Sequence, residues 1–490
     1  MIQTLTNSSP HNKPPDKQGL TKDDDVDAPL AQELNNMSLD ERNRMWEEIH
    51  GVDKPIEETE ELVTRSLRDM EEEICNIPVK AAYDRASESY KKDRKFRLMF
   101  LRCEYFDAKK AAVRLVKFMD GMLEYFGEVA LTRPIRLSDF SSDDLAYFKL
   151  GTMQLLSKRD RAGRLVCCNL LYLLPKSYKE PESEFRALIY IAMSMLEDEE
   201  TQRRGFVVLA YYVGDLKYDG ESNKMLISGG MGILQWLPVR VASVHYCFSH
   251  PLIKPVASLF QSLMLSRLRQ GARMRAHHGS DQECRYSLKT FGIPVDALPI
   301  AYDGTLKNTA HLKRLTRRRA IEKCRATQEK ANPTTGSIDI LNDGIIEFPA
   351  NNDILCGRGK PMHKHPGNVM LRELVESMFS EYEGAAYGLK MTTHENVVKI
   401  LTGKIGARFL TQESGGWWVE VPFEVAVEKV THSFRTVALD NKTRKSRKKE
   451  DEAFTREKSK AEMDGPSKRA RLEASKLDVS PAEDKCSFLF

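Results

Sequence analysis

The chain contains no pair of cysteines spaced C-x-x-C. Its nine cysteines stand at 75, 103, 167, 168, 247, 284, 324, 356 and 486 and form no even framework. That spacing fits neither a disulfide-stapled secreted domain nor a four-ligand zinc module. The simplest expectation is reduced, mostly buried thiols in an intracellular, soluble protein. Long apolar runs are missing too. The longest, LIYIAMSML (188–196) and GFVVLAYYVG (205–214), fall short of the ~20 residues that cross a bilayer, so no transmembrane segment is predicted. The N-terminal MIQTLTNSSPHNKPPDKQGL has no basic-then-apolar leader pattern. Net charge is small, +4 over 490 residues. Any polyanion site must therefore come from local clustering. There is no G-x-S-x-G, no H-E-x-x-H and no carboxylate pair in a supporting context. The expectation is a protein that is not an enzyme, with no cofactor and no metal.

What is present divides the chain. The apolar fraction of 41% is low and the charged fraction of 30% high for a compact globule, so part should pack and part should not. Residues 1–36, rich in Pro, Asn, Asp and Lys, read as disordered. Helical texture fills 37–149. It opens on Ser38-Leu-Asp-Glu41, a capping box in which serine and glutamate side chains each satisfy a free backbone N–H. Pro78 is read as starting a third helix. Asp107 is a good N-cap for a stripe of Ala108, Ala111, Leu115, Phe118, Met119, Met122 and Phe126, closed by Gly127. From 150 to 304 the runs RLVCCNL, FVVLAYY, VASVHYC and ARMRAH alternate with helical stretches, which predicts an α/β sheet with crossovers. One stretch is lined by Phe185, Leu188, Ile189, Ala192 and Leu196. Another is lined by Leu252, Val256, Leu259, Phe260 and Leu263.

The region from about 90 to 304 resembles the CRAL-TRIO family of lipid-binding proteins. The likeness is carried by RLMFLRCEYFDAKKAAVRLVKFMDGMLEYFG (97–127), by the Asp160-x-x-Gly163-Arg164 turn, by ETQRRGFVVLAYYVGD (200–215) and by LPVRVASVHYCFSHPLIKPVASLF (237–260). The resemblance implies a pocket for a hydrophobic small molecule such as a lipid or isoprenoid, covered by a helix at 251–266 that swings for uptake. Alternation puts Val208, Ala210 and Tyr212 on one side of their strand. With Val244, Tyr246, Val256 and Phe260 they are the candidate lining of a cavity of several hundred Å³. The bland alternative is that these side chains fill a core. Val239 stands where phosphoinositide-binding members carry Glu, and Tyr302-Asp303-Gly304 where the family closes on Gly-Gly. A generic hydrophobic pocket therefore fits better than an inositol headgroup site.

Residues 305–350 read as a solvated basic helix and a polar linker. Nine Lys or Arg face two Glu over 307–330. A small α+β domain of order α-α-β-β-α, compatible with a winged-helix-like module, is expected over 351–440, with Gly367-Asn368 capping one helix and Thr392-x-x-Glu395 another. It opens on DILCGRGKPMHKHPGN (353–368). This is not a Walker loop, because the Gly five residues before Gly-Lys and the following Ser or Thr are both absent. Cys356, His363 and His365 lack a fourth zinc ligand. Two readings stay open. One is a phosphate cradle using Arg358, Lys360, Lys364 and Asn368 beside a helix N-terminus. The other is a tight turn whose glycines serve backbone geometry. The pattern Asn352-Asp353-Ile-Leu-Cys-Gly-Arg-Gly, His365-Pro-Gly-Asn368, Arg408-Phe-Leu and Trp418-Val-Glu-Val resembles an uncharacterised domain family of microalgal proteins, which implies no activity.

Residues 441–490 read as a disordered basic tail. KTRKSRKK (Lys442 to Lys449) and Lys468-Arg-Ala-Arg471 suggest nuclear import in an otherwise cytoplasmic protein, or contact with nucleic acid or an anionic membrane surface. In sum, the fold expected is a mixed α/β multidomain chain: N-terminal helices, a CRAL-TRIO-like α/β domain, a small α+β C-terminal domain and disordered termini. The function expected is non-enzymatic binding of a hydrophobic ligand coupled to a regulatory or interaction domain. The alternative is a nucleic-acid-associated regulator.

Overall fold

The computed structural model describes residues 27–170 apart from 53, 181–213, 230–249 apart from 231, 254–264, 271–331 and 344–463. The fold class is the mixed α/β one expected from sequence. The chain divides into two compact units, residues 1–351 with 412–419, and 352–411 with 420–490.

The first unit begins with helices α1 (Asp27–Asn36), α2 (Leu39–His50), α3 (Glu60–Cys75), α4 (Ala81–Arg85), α5 (Arg94–Cys103) and α6 (Ala108–Phe126). Helix α1 falls where the composition predicts disorder; its Leu30 and Leu34 pack on Met45, Ile49 and Ala272. The capping box at Ser38 and Glu41 forms as its spacing requires. Pro78 does not start a helix, since α4 begins three residues later at Ala81. Asp107 accepts from the Lys110 N–H to start α6, and Gly127, at φ 70°, ends it. Ala111, Leu115, Phe118, Met119 and Met122 are buried on the inner face, which is the stripe the 3.6 periodicity marks.

Helices α7 (Ser142–Leu150), α8 (Pro181–Met195) and α9 (Glu199–Arg204) accompany a five-stranded sheet. Its strands are β1 (Met153–Leu155), β2 (Val166–Asn169), β3 (Phe206–Tyr212), β4 (Val241–Phe248) and β5 (Met274–His278), in that spatial order. β1 runs antiparallel to β2, and the others are parallel. Register sets Val208 beside Val244, Ala210 beside Tyr246 and Tyr212 beside Phe248. Both faces of the sheet are covered. Val207, Leu209 and Tyr211 pack with Cys247, Cys284 and Leu288 on one side. Phe206, Ala210 and Tyr212 pack on the other with α6 and α8. A doubly covered parallel sheet explains why its strands read as near-continuous apolar runs. Helices α10 (Lys254–Leu263), α11 (Asp281–Thr290) and α12 (Thr309–Ala331) follow.

Helix α12 corrects the sequence reading. It is not a solvated basic helix. Arg314, Arg318 and His311 are buried, with Leu315 and Ile321 beside them. Arg318 meets Glu197 at 2.6 Å, Glu347 at 3.3 Å and Glu322 at 3.5 Å; Arg325 joins Glu197 at 3.0 Å. Burial would raise the Glu197 carboxyl, but Arg318 and Arg325 outweigh it and hold it at about 2. Glu197 and Glu347 come from sequence-distant segments, so a count of local charge sees only Glu322.

The second unit holds β6 (Ile354–Cys356), α13 (Pro366–Gly384), α14 (Tyr387–Lys399), nearly all of β7 (Phe409–Gln412) and α15 (Phe423–Met463), whereas β8 (Trp418–Glu420) falls mostly in the 412–419 stretch grouped with the first. Strand β6 runs parallel to β7. Strand β6 is an element the expected α-α-β-β-α order lacks. Helix α14 starts at Tyr387, so Thr392 is an interior residue whose hydroxyl donates back to the Gly388 carbonyl instead of capping. Helix α15 buries Ala426, Val430, Phe434 and Val437 and then runs on to Met463, through the first half of the segment expected to be disordered. Residues 1–26 and 464–490, including Lys468 to Arg471, lie outside the described residues.

Candidate ligand cavity

The motif residues of the first unit hold the scaffold together. Asp160 accepts from the Arg164 backbone N–H at 2.8 Å and from its guanidinium Nε at 2.7 Å, with both side chains buried. Gly163 takes φ 84° in this turn, which a side chain would disfavour. Arg102 reaches Glu58 at 2.7 Å and Glu199 at 2.9 Å, tying α5 to α9.

On the α8 face of the sheet lies a cavity of about 90 Å³. The sheet supplies its floor through Cys167, Val208, Ala210, Tyr212 and Tyr246. Helix α8 supplies Glu184, Phe185 and Leu188, and α10 supplies Phe260. The Tyr212 and Tyr246 rings stack at 5.2 Å, with Phe260 5.7 Å from Tyr246. Aromatic stacking of this kind makes a flat, stiff wall.

Five of the seven candidate lining residues, Val208, Ala210, Tyr212, Tyr246 and Phe260, thus meet at one cavity. Val244 does not line it. It is buried in the same apolar cluster, packed between its partners Val208 and Met274 in the sheet. The side chain of Val256 lies outside the described residues, as do those of Leu259 and Leu263 and the whole of Leu252. The volume is smaller than the several hundred Å³ expected, because Phe185, Leu188 and Phe260 fill the space between sheet and helices.

The lining also holds residues outside the candidate set, Cys167, Phe185 and Leu188 among them, and one of these is an acid, Glu184. Glu184 is 4% exposed, and burial pushes its carboxyl up to about 8. An apolar-stripe reading takes Phe185 and Leu188 and passes over an acid in the first helical turn, which is ordinarily solvated. The usable signal was its i,i+4 spacing to Leu188. Cys167 is likewise pushed up to about 12 by burial.

In the second unit, the loop 353–368 is used by the fold. The buried Asp353 carboxylate accepts from the Arg408 guanidinium at 2.7 and 3.1 Å. Asn368 accepts from the Leu355 N–H at 2.7 Å and donates to the Leu355 carbonyl at 2.9 Å, pinning α13 to β6. It therefore does not cap α13, whose N-cap is His365 followed by Pro366. A Cβ on Gly367 would lie 2.1 Å from the Asp353 carbonyl oxygen. Arg358 and Lys364 are exposed, and the side chain of Lys360 lies outside the described residues. Among the described residues no group of His, Cys, Asp or Glu could hold a metal ion, and no helix is long and apolar enough to cross a membrane.

Comparison with known proteins finds relatives for parts of the chain. The chain is 28% identical over 258 residues to the Mus musculus protein described as alpha-tocopherol transfer protein-like, covering 50% of this chain and 71% of that protein. The Homo sapiens protein of the same description is 27% identical over 257 residues, with the same coverage. Residues 353–436 match the family described as Domain of unknown function (DUF6824). Half of the chain is thus homologous to tocopherol transfer protein-like proteins, as the resemblance to the CRAL-TRIO family implies.

Proposed function

We propose that the first unit binds a single hydrophobic ligand, a lipid or isoprenoid, without catalysing its conversion, and that the second unit is a regulatory or interaction module. The observation that carries this reading is the shared cavity of Val208, Ala210, Tyr212, Tyr246 and Phe260. Residues picked by strand alternation and by resemblance face one enclosed, mostly apolar space beneath α10. The names of the similar proteins support the same class of ligand. Displacement of α10 admits the ligand tail, since the cavity is too small for a complete lipid. Organic extraction of the purified full chain followed by mass spectrometry is expected to show one enriched lipid species. A lipid profile equal to that of an unrelated control protein sinks the proposal.

A second reading concerns Lys442 to Lys449, which stand exposed along α15. A helix that presents six cations over eight residues suits a polyanion, and would serve nuclear import or nucleic-acid contact. Binding to a random duplex should then weaken steeply with salt and disappear when these six side chains are replaced by Gln. Unchanged binding in that variant rules out this segment, and no binding in the parent chain rules out the reading.

A further inference from the structure

Glu184 is an anomaly in the cavity. It sits in the first turn of α8 with Phe185 and Leu188, and with them faces Val208, Ala210 and Tyr246 across the space. Its Oε2 is buried and has no hydrogen-bond partner among the described residues. The cation nearest in sequence is engaged elsewhere: Arg186 bridges to Asp144 at 2.9 Å and to Glu182 at 3.2 Å. Ser183, the adjacent hydroxyl, donates to Asp144 as well, at 2.6 Å. Leaving a carboxyl this deep and unpaired is costly. A core that needed only filling would carry Leu or Met at this position.

We propose that Glu184 is the specificity-determining residue of the cavity, giving one hydrogen bond to an uncharged oxygen, hydroxyl or carbonyl, at the head of a neutral lipid. This rests on the reading of the cavity as a hydrophobic-ligand site, and adds to it where the head points and which heads are refused. A cavity of about 90 Å³ holds a head group and its first few carbons. The tail then lies toward Phe260 and α10. A carboxylate or phosphate head brings charge into a space where, among the described residues, the lining acid is already desolvated and no lining cation receives it.

Burial keeps the carboxyl neutral at ordinary pH, so that it carries a proton to donate. The titratable groups near it do not reverse this. Burial pushes up the Cys167 thiol on β2, and the phenols Tyr212 and Tyr246 lie on β3 and β4. Tyr125 of α6 reaches this face only through its contact with Phe185. Asp144 of α7, with Glu182 and Arg186 on α8, forms its own ion-paired group. Arg314 of α12 faces Cys167. Deprotonation of Glu184 therefore removes the donor and leaves a carboxylate that can only accept, so a carbonyl head, which has no proton to give, leaves.

The test uses the delipidated full chain with hexadecan-1-ol, hexadecanal, hexadecane and hexadecanoate as probes, and Glu184→Gln and Glu184→Leu as variants. At about pH 6 the alcohol and the aldehyde should each bind about tenfold or more tighter than the hydrocarbon and the acid. Glu184→Gln, which keeps an N–H donor, should retain that preference, and Glu184→Leu should lose it. Raising the pH to about 10 should weaken aldehyde binding to the parent chain about tenfold or more and leave the Gln variant unchanged. Equal binding of alcohol and hydrocarbon, or an undiminished preference in Glu184→Leu, overturns the role of Glu184 while the cavity reading stands. If none of the four probes binds and extraction yields no lipid, the cavity reading fails and this inference with it.

Discussion

Glu184 also sets a condition on the empty protein. Its folded pKa is raised to about 8 by burial, against 4.5 unperturbed. Between those values the unfolded chain releases a proton that the folded chain keeps. Stability conferred by the neutral acid is therefore full below about pH 4.5 and falls through to about pH 8, on the order of 1 kcal/mol per pH unit at its steepest. Denaturant titrations of the delipidated chain at about pH 5 and about pH 8 should show that fall, and Glu184→Gln should flatten it. An identical slope in the two proteins would mean the carboxyl is not held neutral. At the same scale, Asn368→Ala should cost about 1–3 kcal/mol by stranding the Leu355 backbone groups. Gly367→Ala should cost more than about 3 kcal/mol, because its Cβ would meet the Asp353 carbonyl, which cannot swing away. Hydrogen exchange by mass spectrometry locates both effects. Faster exchange is expected within 353–411 and 420–437 and none within 150–304, since these stretches fall in separate compact units.

Elements differ in how far local sequence specifies them. Strands β3 and β4 were legible because seven or eight apolar, β-branched or aromatic residues run together. Strands β1 and β6 were not, at three residues each: such a strand is defined by its partner and has no pattern of its own. The caps at Ser38, Asp107 and Gly127 were legible because they are made within one turn of their helix. The apparent box at Thr392 misled, because the same letters inside a helix bond backwards to the i−4 carbonyl. Helix α12 misled for the opposite reason. Its arginines answer to Glu197 and Glu347, both far away in the chain. The consequence is measurable. Arg318→Ala should destabilise the chain by about 1–3 kcal/mol, by leaving Glu197 to Arg325 alone and Glu347 to Arg314 alone. Arg319→Ala, a neighbour without such a role, should lie within about 0.5 kcal/mol of the parent. Equal melting of the two variants would return α12 to the solvated helix its composition suggests.

The whole molecule joins two kinds of legibility. The cavity was partly readable because alternation on a strand says which side chains share a side, and the resemblance says which side is hollow. It was not readable in volume, which is set by how Phe185, Leu188 and Phe260 pack across from the sheet. The loop at 353–368 was readable as a domain signature. Its use was hidden, since the polar groups that looked free, Asp353 and Asn368, are spent on Arg408 and Leu355. At this scale a cognate lipid should act as a stabiliser by mass action. At a hundred times its dissociation constant it should add about 3 kcal/mol to unfolding. Thermal melts with and without added hexadecan-1-ol check this, and no shift at saturation counts against a ligand held in the folded state.

The tightness of the cavity has a kinetic reading. A site of about 90 Å³ is too small for a long chain as it stands, so loading and unloading both wait on the same rearrangement of packed side chains. Association and dissociation then slow together, and dwell time separates from affinity. Such a protein acts as a timer as much as a carrier: in plain water a cargo stays for as long as Phe260 and its helix stay shut.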